Sequence, residues 1–403
     1  MICLKFVYDY NMTLPNKRIA YVLTTKFPTE KAYGVTARET VSELLLKSID
    51  VKIFAMKSEY SDDYFKKINK YIVNFSQNIL SSFLVNFGEK RQNKLNFFSW
   101  KLGTLLCLVK NLQLIASFNP DAIWLRDPLL VYLCAKKIKS SKIIFEVHDS
   151  SSKYIYRFFQ KYNSQIKYLP INESNKSFLV NINSKIDTQL APMGIRNITK
   201  SAQFEINKYL NSLTNKKGRP VQIGYIGRFA PGGYTKGIED LINYAKFSQT
   251  MNLDNEITLI GATESEIDAY DSLRISLGIN SKYLKIKTHV SHSIAVRMMR
   301  SFDVLILPKY SSESYMGMPL KLLEYLSSGR ITIIADIDLY TKFFTASFKP
   351  FVYAPGDMLS LDYSLNSALK DKKLKAKLNA GVNFASNFTW QKRTSKILQS
   401  YGV

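Results

Sequence analysis

The sequence predicts an α/β protein built from two Rossmann-like, doubly wound parallel-sheet domains in series. Short apolar runs alternate with helical segments along nearly the whole 403-residue chain. Runs this short, bounded by turn residues and spaced by helices, are the pattern of βαβ units. The alternation breaks once, over residues 197–219 (NITKSAQFEINKYLNSLTNKKGR), which are polar and carry no strand signal. The length and the 46% apolar content suit two domains, each with its own core.

The elements follow in order. RIAYVLT from Arg18 to Thr24 is the first strand, followed by a loop containing Gly34 and the helical pattern VTARETVSELLLKS. DVKIFA (Asp50–Ala55), DAIWL (Asp121–Leu125) and KIIFEV (Lys142–Val147) are further strands, and Gln165–Leu169 is a weaker one. Helices are expected near Asp127 and near Tyr154. After the polar break a second series reads Val221–Gly227, Glu256–Ile260, Tyr283–Lys287, Asp303–Leu307 and Ile331–Ala335, with helices between. FTWQKRTSKILQSY ends the chain as a helix with no strand after it. The expected division is 1–197 for the first domain, 198–219 for the interdomain segment, 220–385 for the second domain and 386–403 for the terminal helix. Ligands of such folds sit beyond the carboxyl ends of the strands, here expected in the cleft between domains.

Residues 64–101 resist the pattern. Ile68, Ile72, Phe75, Ile79 and Phe83 recur at helical spacing, flanked by Lys66, Lys67, Lys70, Lys90, Arg91 and Lys94. Two readings stand side by side: an amphipathic helix on an anionic membrane surface, or a helix covering the first sheet.

Composition narrows the function classes. Three cysteines at wide spacing form neither a disulfide framework nor a metal motif, which fits a reducing cytosol. Three scattered histidines do not form a zinc site. The N-terminus does not read as a signal peptide, and no stretch has the apolar length of a membrane span. The formal net charge of +24 points to an acidic partner: nucleic acid, anionic lipid or a phosphorylated substrate.

Two stretches carry the chemistry. In GYIGRFAPGGYTKGIEDLI, from Gly224 to Ile242, a strand opens into a glycine-rich loop and then a helix. Gly227 lets a ligand approach closely, Arg228 suits bidentate contact with phosphate oxygens, and Lys236 is a mobile point charge. The alternative is a solvated basic βα loop. In DVLILPKYSSESYMGMPLKLLEYLSSGRITIIADI the order is strand, loop, helix, strand, and Pro319 suits a first helical position. Lys321, Glu324 and Ser328 share one stripe of that helix. A carboxylate one turn into such a helix accepts two ribose hydroxyls. The alternative is an exposed Lys–Glu pair of small energetic weight.

Together these stretches resemble the retaining glycosyltransferases of GT-B fold, family four (group 1), along nearly the whole chain. In that family a strand ending in G-R, with a lysine about eight residues later, binds the sugar-nucleotide diphosphate and steadies the leaving group. The resemblance implies those roles for Arg228 and Lys236. It implies a donor-binding loop and helix start at Gly317, Met318, Pro319, Leu320 and Lys321, and a ribose contact at Glu324. His148, in IIFEVHD, resembles the family histidine near the reacting face of the sugar; alone it reads equally as a structural histidine. Gly34 lies where the family positions a phosphate. WLRDPLL (Trp124–Leu130), APMGI (Ala191–Ile195), LIGA (Leu259–Ala262) and HVSHSIAVRMMRSFDVLILP resemble further landmarks, the last two lining the base pocket. FTWQKR resembles the helix that crosses back onto the first domain. Two positions depart from the pattern: Met316 replaces a common glutamate, and Met193 replaces a common asparagine.

The resemblance implies transfer from a UDP- or GDP-sugar to a glycan or lipid-linked glycan hydroxyl. No metal or other cofactor is expected, since Arg228 and Lys236 would do the electrophilic work; Asp336-Ile337-Asp338 is not read as a metal site. The expected place is the cytoplasm or the inner face of the cytoplasmic membrane, with cell-surface polysaccharide or lipopolysaccharide as product. Charge alone also permits nucleic-acid binding, but no helix-turn-helix, zinc finger or RNA-binding aromatic motif is present. Met316 and Met193 motivate a non-catalytic, nucleotide-sugar-binding member; Arg228, Lys236 and Glu324 argue against it.

Overall fold

The computed structural model describes residues 17–29, 32–60, 63–75, 81, 84–85, 94–148, 160–196, 199–215, 218–229, 236–309, 320–341, 344 and 348–401. The chain divides into two compact units, Met1–Pro192 with Arg393–Val403, and Met193–Lys392.

The first unit holds strands β1 (Arg18–Phe27), β2 (Asp50–Lys57), β3 (Ile72–Asn74), β4 (Ala122–Leu125), β5 (Lys142–Val147) and β6 (Ile166–Pro170). They form one parallel sheet in the order β3-β2-β1-β4-β5-β6. Helices α1 (Ala32–Leu46), α2 (Asp63–Lys66), α3 (Lys94–Ser117), α4 (Pro128–Lys137) and α5 (Glu173–Ile182) accompany it. Burial on both faces explains the continuous apolar runs of these strands. Ala20 and Val22 of β1 enter one core cluster, while Ile19, Tyr21 and Leu23 enter the other. Asp127 starts α4: its Oδ1 accepts from the Leu129 and Leu130 amides at 2.9 and 3.2 Å, and Pro128 takes the first helical position.

The helix expected through 64–101 does not form as one piece. Ile72–Asn74 instead extends the sheet as β3, with Ile72 beside Ile53 and Val73 beside Phe54. The β-branched pair Ile72-Val73 suits that pleated edge. Ile68 and Phe75 are buried in the unit's core clusters, and Lys66, Lys67 and Lys70 face solvent. Ile79, Phe83, Lys90 and Arg91 lie outside the described residues, as does the helix start expected near Tyr154.

The second unit repeats the plan with β7 (Val221–Ile226), β8 (Asn255–Ala262), β9 (Leu284–Thr288), β10 (Val304–Leu307), β11 (Ile331–Ala335) and β12 (Phe351–Tyr353). Its parallel sheet runs β12-β11-β10-β7-β8-β9. Its helices are α6 (Thr199–Thr214), α7 (Ile238–Thr250), α8 (Glu264–Ser276), α9 (His292–Met299), α10 (Leu320–Ser327), α11 (Asp338–Thr341), α12 (Met358–Leu369) and α13 (Leu374–Ala385). The segment 198–219, expected as an interdomain segment, is here mainly α6: Ile206 and Tyr209 are buried in the second core, and α6 packs against α13. The last helix, α14 (Trp390–Tyr401), begins in the second unit and from Arg393 onward belongs to the first. There Ile397, Leu398 and Tyr401 join the first unit's core. Lys142 and Lys167 donate to the Tyr401 and Ser400 carbonyls at 2.9 and 3.0 Å, at the negative end of that helix.

Candidate active site

Both sheets share one strand order, two strands stepping one way from the first strand and three the other. In each, the chain reverses between two central strands, β1 and β4 in the first unit and β7 and β10 in the second. Ligands of such sheets bind outside the carboxyl ends of those strands.

In the second unit β7 ends against α10. The Tyr325 hydroxyl accepts from the Ile226 amide at 2.8 Å and donates to the Ile226 carbonyl at 3.3 Å. Gly227 follows, its amide donating to the Ile260 carbonyl at 2.7 Å. A Cβ on Gly227 would lie 2.0 Å from Cε and 2.6 Å from Nζ of Lys321. The absent side chain therefore leaves the space that the Lys321 ammonium fills. Arg228 comes next, and its carbonyl accepts from the Tyr225 hydroxyl at 3.2 Å. Phe229 is buried, and its carbonyl accepts from the Lys236 amide at 2.9 Å, closing the base of the loop. Gly237 then turns the chain with φ +70°, where a Cβ would meet the Lys309 carbonyl oxygen at 2.1 Å. Glycine at 237 lets Lys309, two residues beyond β10, approach the start of α7.

Two lysines, Lys236 and Lys321, thus face each other at this strand end, where Arg228 directly follows Gly227. Burial and the neighbouring Lys321 charge bring the Lys236 ammonium down to about 7. Burial also lowers Lys321, with Glu324 opposing. Glu324 receives a second group: its Oε1 lies 2.8 Å from Nε2 of His292, the first residue of α9. Burial works against the Glu324 charge, but the His292 hydrogen bond and Lys321 hold its carboxyl below the usual range. Neither Lys321 nor Glu324 is the exposed helix pair that spacing alone allows. Leu320 opens α10 and is half-buried. Gly317, Met318 and Pro319 lie outside the described residues, as does Met316. Sequence reasoning did not single out His292, although it lies in the stretch assigned to the base pocket.

In the first unit Gly34 is the third residue of α1. A Cβ there would meet the Thr29 carbonyl oxygen at 2.1 Å. Its own loop therefore uses the missing side chain. His148 directly follows β5. Its Nε2 is 3.0 Å from Oε2 of Glu146, and its side chain is 30% exposed. Glu146 is fully buried and holds three more groups: Arg126 Nε at 2.8 Å on Oε2, with Arg393 Nη2 at 2.8 Å and Trp124 Nε1 at 2.9 Å on Oε1. Burial opposes the charge of Glu146, but Arg126 and Arg393 hold its carboxyl well below the ordinary range. Burial and Arg126 push His148 down, with Glu146 opposing. The ring is therefore neutral near pH 7. The sequence pattern points to His148 but not to Arg126, Glu146 and Arg393, although each sits inside a stretch that resembles a family landmark.

Among the described residues no group of three or more His, Cys, Asp or Glu could hold a metal ion. No helix among them is long and apolar enough to cross a membrane.

Residues 210–382 match the family model described as "Glycosyl transferases group 1". No curated protein sequence matches the chain. Among solved structures, Anabaena Alr3699/HepE in complex with UDP and glucose superposes with a TM-score of 0.65 at 13% identity, covering 96% of this chain and 100% of that one. Sucrose-phosphate synthase from Thermosynechococcus elongatus gives 0.67 at 13% identity, covering 96% and 98%. A glycosyltransferase from Rickettsia africae gives 0.64 at 16% identity, covering 96% and 98%. At such identities the superpositions speak to fold, and the family match speaks to the second unit. The chain has the two-domain GT-B fold, and within its second unit residues 210–382 match the group 1 glycosyltransferase model.

Proposed function

We propose that the protein is a retaining, metal-independent glycosyltransferase. It takes a sugar from a UDP- or GDP-sugar and passes it to a hydroxyl of a glycan or lipid-linked glycan acceptor. The observation that carries this is the pair Lys236 and Lys321 at Gly227, directly before Arg228, with Glu324 one turn further into α10. Burial disfavours the charge of both lysines, and a diphosphate restores it. Arg228 and the lysines would then stabilise the charge that develops on the departing nucleoside diphosphate. Glu324, anionic and steadied by His292, accepts the ribose hydroxyls. The acceptor hydroxyl attacks the anomeric carbon from the face the diphosphate leaves, so the configuration is retained, and its proton passes to the departing diphosphate. Anabaena Alr3699/HepE, crystallised with UDP and with UDP-glucose, supports a donor of this class. The net charge of +24 favours an anionic membrane surface as the acceptor's location, and hence cell-surface polysaccharide or lipopolysaccharide as product at the cytoplasmic face.

A thermal-shift panel of sugar nucleotides tests the donor side, because a ligand that binds only the folded state raises Tm by mass action. A UDP- or GDP-sugar should raise Tm, and its radiolabelled sugar should appear on a glycan acceptor with the anomeric configuration retained. No shift with any sugar nucleotide would overturn the reading.

A further inference from the structure

The charged hub of the first unit carries an inference beyond the donor site. Glu146 has no exposure, yet both its oxygens are used: Oε1 by Arg393 and Trp124, Oε2 by Arg126 and His148. A buried carboxylate is costly unless it is paired and hydrogen-bonded. With two guanidinium groups and an indole donor, its charge is already satisfied without the histidine. His148 is the odd member, the most exposed of the four partners that face this carboxylate.

An ionised carboxylate only accepts hydrogen bonds. The atom of His148 that faces it at 3.0 Å is Nε2, so Nε2 must carry a proton. The charged groups around the ring, among the described residues, are Glu146 on β5, Arg126 after β4 and Arg393 on α14; Tyr21 of β1 lies beside Arg126. Two cations against one anion, in a buried setting, disfavour a second proton on the ring. We infer that Glu146 is the positioning residue of this site: it fixes His148 as the Nε2–H tautomer, leaving Nδ1 as the acceptor offered to a substrate hydroxyl. Arg126, Arg393 and Trp124 hold Glu146 in place for that task. Because Arg393 comes from α14, the state of the ring depends on the terminal helix remaining docked. Arg393 is tied there a second time, its Nε donating to the Pro192 carbonyl at 3.0 Å.

The turnover part of this proposal rests on the glycosyltransferase reading; the ring state does not. Nitrogen NMR of protein labelled at histidine tests the ring directly, with His148→Gln identifying the signal by its loss. Wild-type protein at pH 7 should show Nε2 protonated and Nδ1 bare. A proton on Nδ1, or on both nitrogens, would overturn the proposal. In Glu146→Gln the carboxamide turns its NH2 toward the ring, so the proton should move to Nδ1. With UDP-glucose as donor, kcat should then fall about tenfold or more while KM stays within about threefold, the signature of a wrong tautomer in a positioned histidine. An unchanged tautomer in a folded Glu146→Gln variant would also refute it. Should that variant not fold, the wild-type spectrum decides alone. Absence of transfer from any sugar nucleotide, with the expected spectrum, counts against the glycosyltransferase reading and leaves the tautomer assignment standing.

Discussion

In the proposed donor site, Lys236 should bring a pH dependence that a clamp made only of arginines would lack. Burial and Lys321 bring its ammonium down to about 7, so about half the molecules hold it uncharged at neutrality. A bound diphosphate favours the charged form and lifts the group back toward the ordinary lysine range. Binding therefore takes up a proton. Affinity is full below pH 7 and is lost as pH rises through it, the sense expected when the free protein has the lower pKa. From that value, the dissociation constant should grow about tenfold between pH 6 and pH 8, or about 1.4 kcal/mol. Proton uptake should be about 0.1 at pH 6, 0.5 at pH 7 and 0.9 at pH 8. UDP-glucose is a clean probe, since its diphosphate diester does not titrate in this range. Calorimetry in two buffers of different ionisation enthalpy reads affinity and protons together. Lys236→Arg should flatten the profile. Lys321→Met should move its midpoint upward, by removing the like charge. Wild-type affinity that is level from pH 6 to 8, with no buffer dependence, would refute the assignment of Lys236 to the diphosphate.

Arg228→Ala should lower turnover by about 10²–10³, on the scale of losing one preorganised donor, and near-wild-type turnover would remove it from the leaving-group clamp. Gly227→Ala places a Cβ 2.0 Å from Lys321 Cε, at the flexible end of that side chain, so UDP affinity should fall while Tm changes little. Gly34→Ala meets the Thr29 backbone oxygen instead, and thermal unfolding should show it to be the more destabilising of the two. His292→Ala should weaken UDP by about tenfold through loss of the Glu324 partner, and unchanged binding would show that the pair does not set the ribose contact. Chelation with EDTA should leave transfer intact; abolished activity would overturn the metal-independent mechanism.

The sequence made the central strands plain because a parallel sheet buried on both faces writes them as continuous apolar runs. It missed β3 and β12, each three residues long at a sheet edge. Runs that short contain too few side chains to show a period, and Ile68, Ile72 and Phe75 mimic a helix by chance of spacing. Of the site, Gly227, Arg228, Lys236, Lys321 and Glu324 could be marked because glycine and charge at a strand end are local signals. Partnerships across the fold were not local. His292 lies 32 positions from Glu324, and Arg393 lies 247 from Glu146. Nothing in FEVHD shows that the glutamate is buried rather than solvated; only its place on β5, between β4 and β6, determines that.

The two units each put buried charge near strand ends and treat it in opposite ways. In the first, the cations Arg126 and Arg393 meet Glu146, so the buried charges are paired inside the protein. That arrangement is rigid and self-sufficient, and it suits the holding of one ring in one tautomer. In the second, Glu324 is engaged by His292, and burial works against the charge of both Lys236 and Lys321. Glu324 only partly offsets this at Lys321, and Lys321 adds to the difficulty at Lys236. An electrostatic penalty left in the free protein is recovered when an anion arrives, because the ligand then supplies the opposing charge that the fold withheld. A structural ion-pair network has no use for such a deficit, and a site that binds diphosphate and releases it does. On the proposed function, the contrast suits positioning at the first hub and anion exchange at the second. It also explains why the pH dependence expected for binding belongs to Lys236, whereas burial and Arg126 bias the His148 ring toward its neutral form.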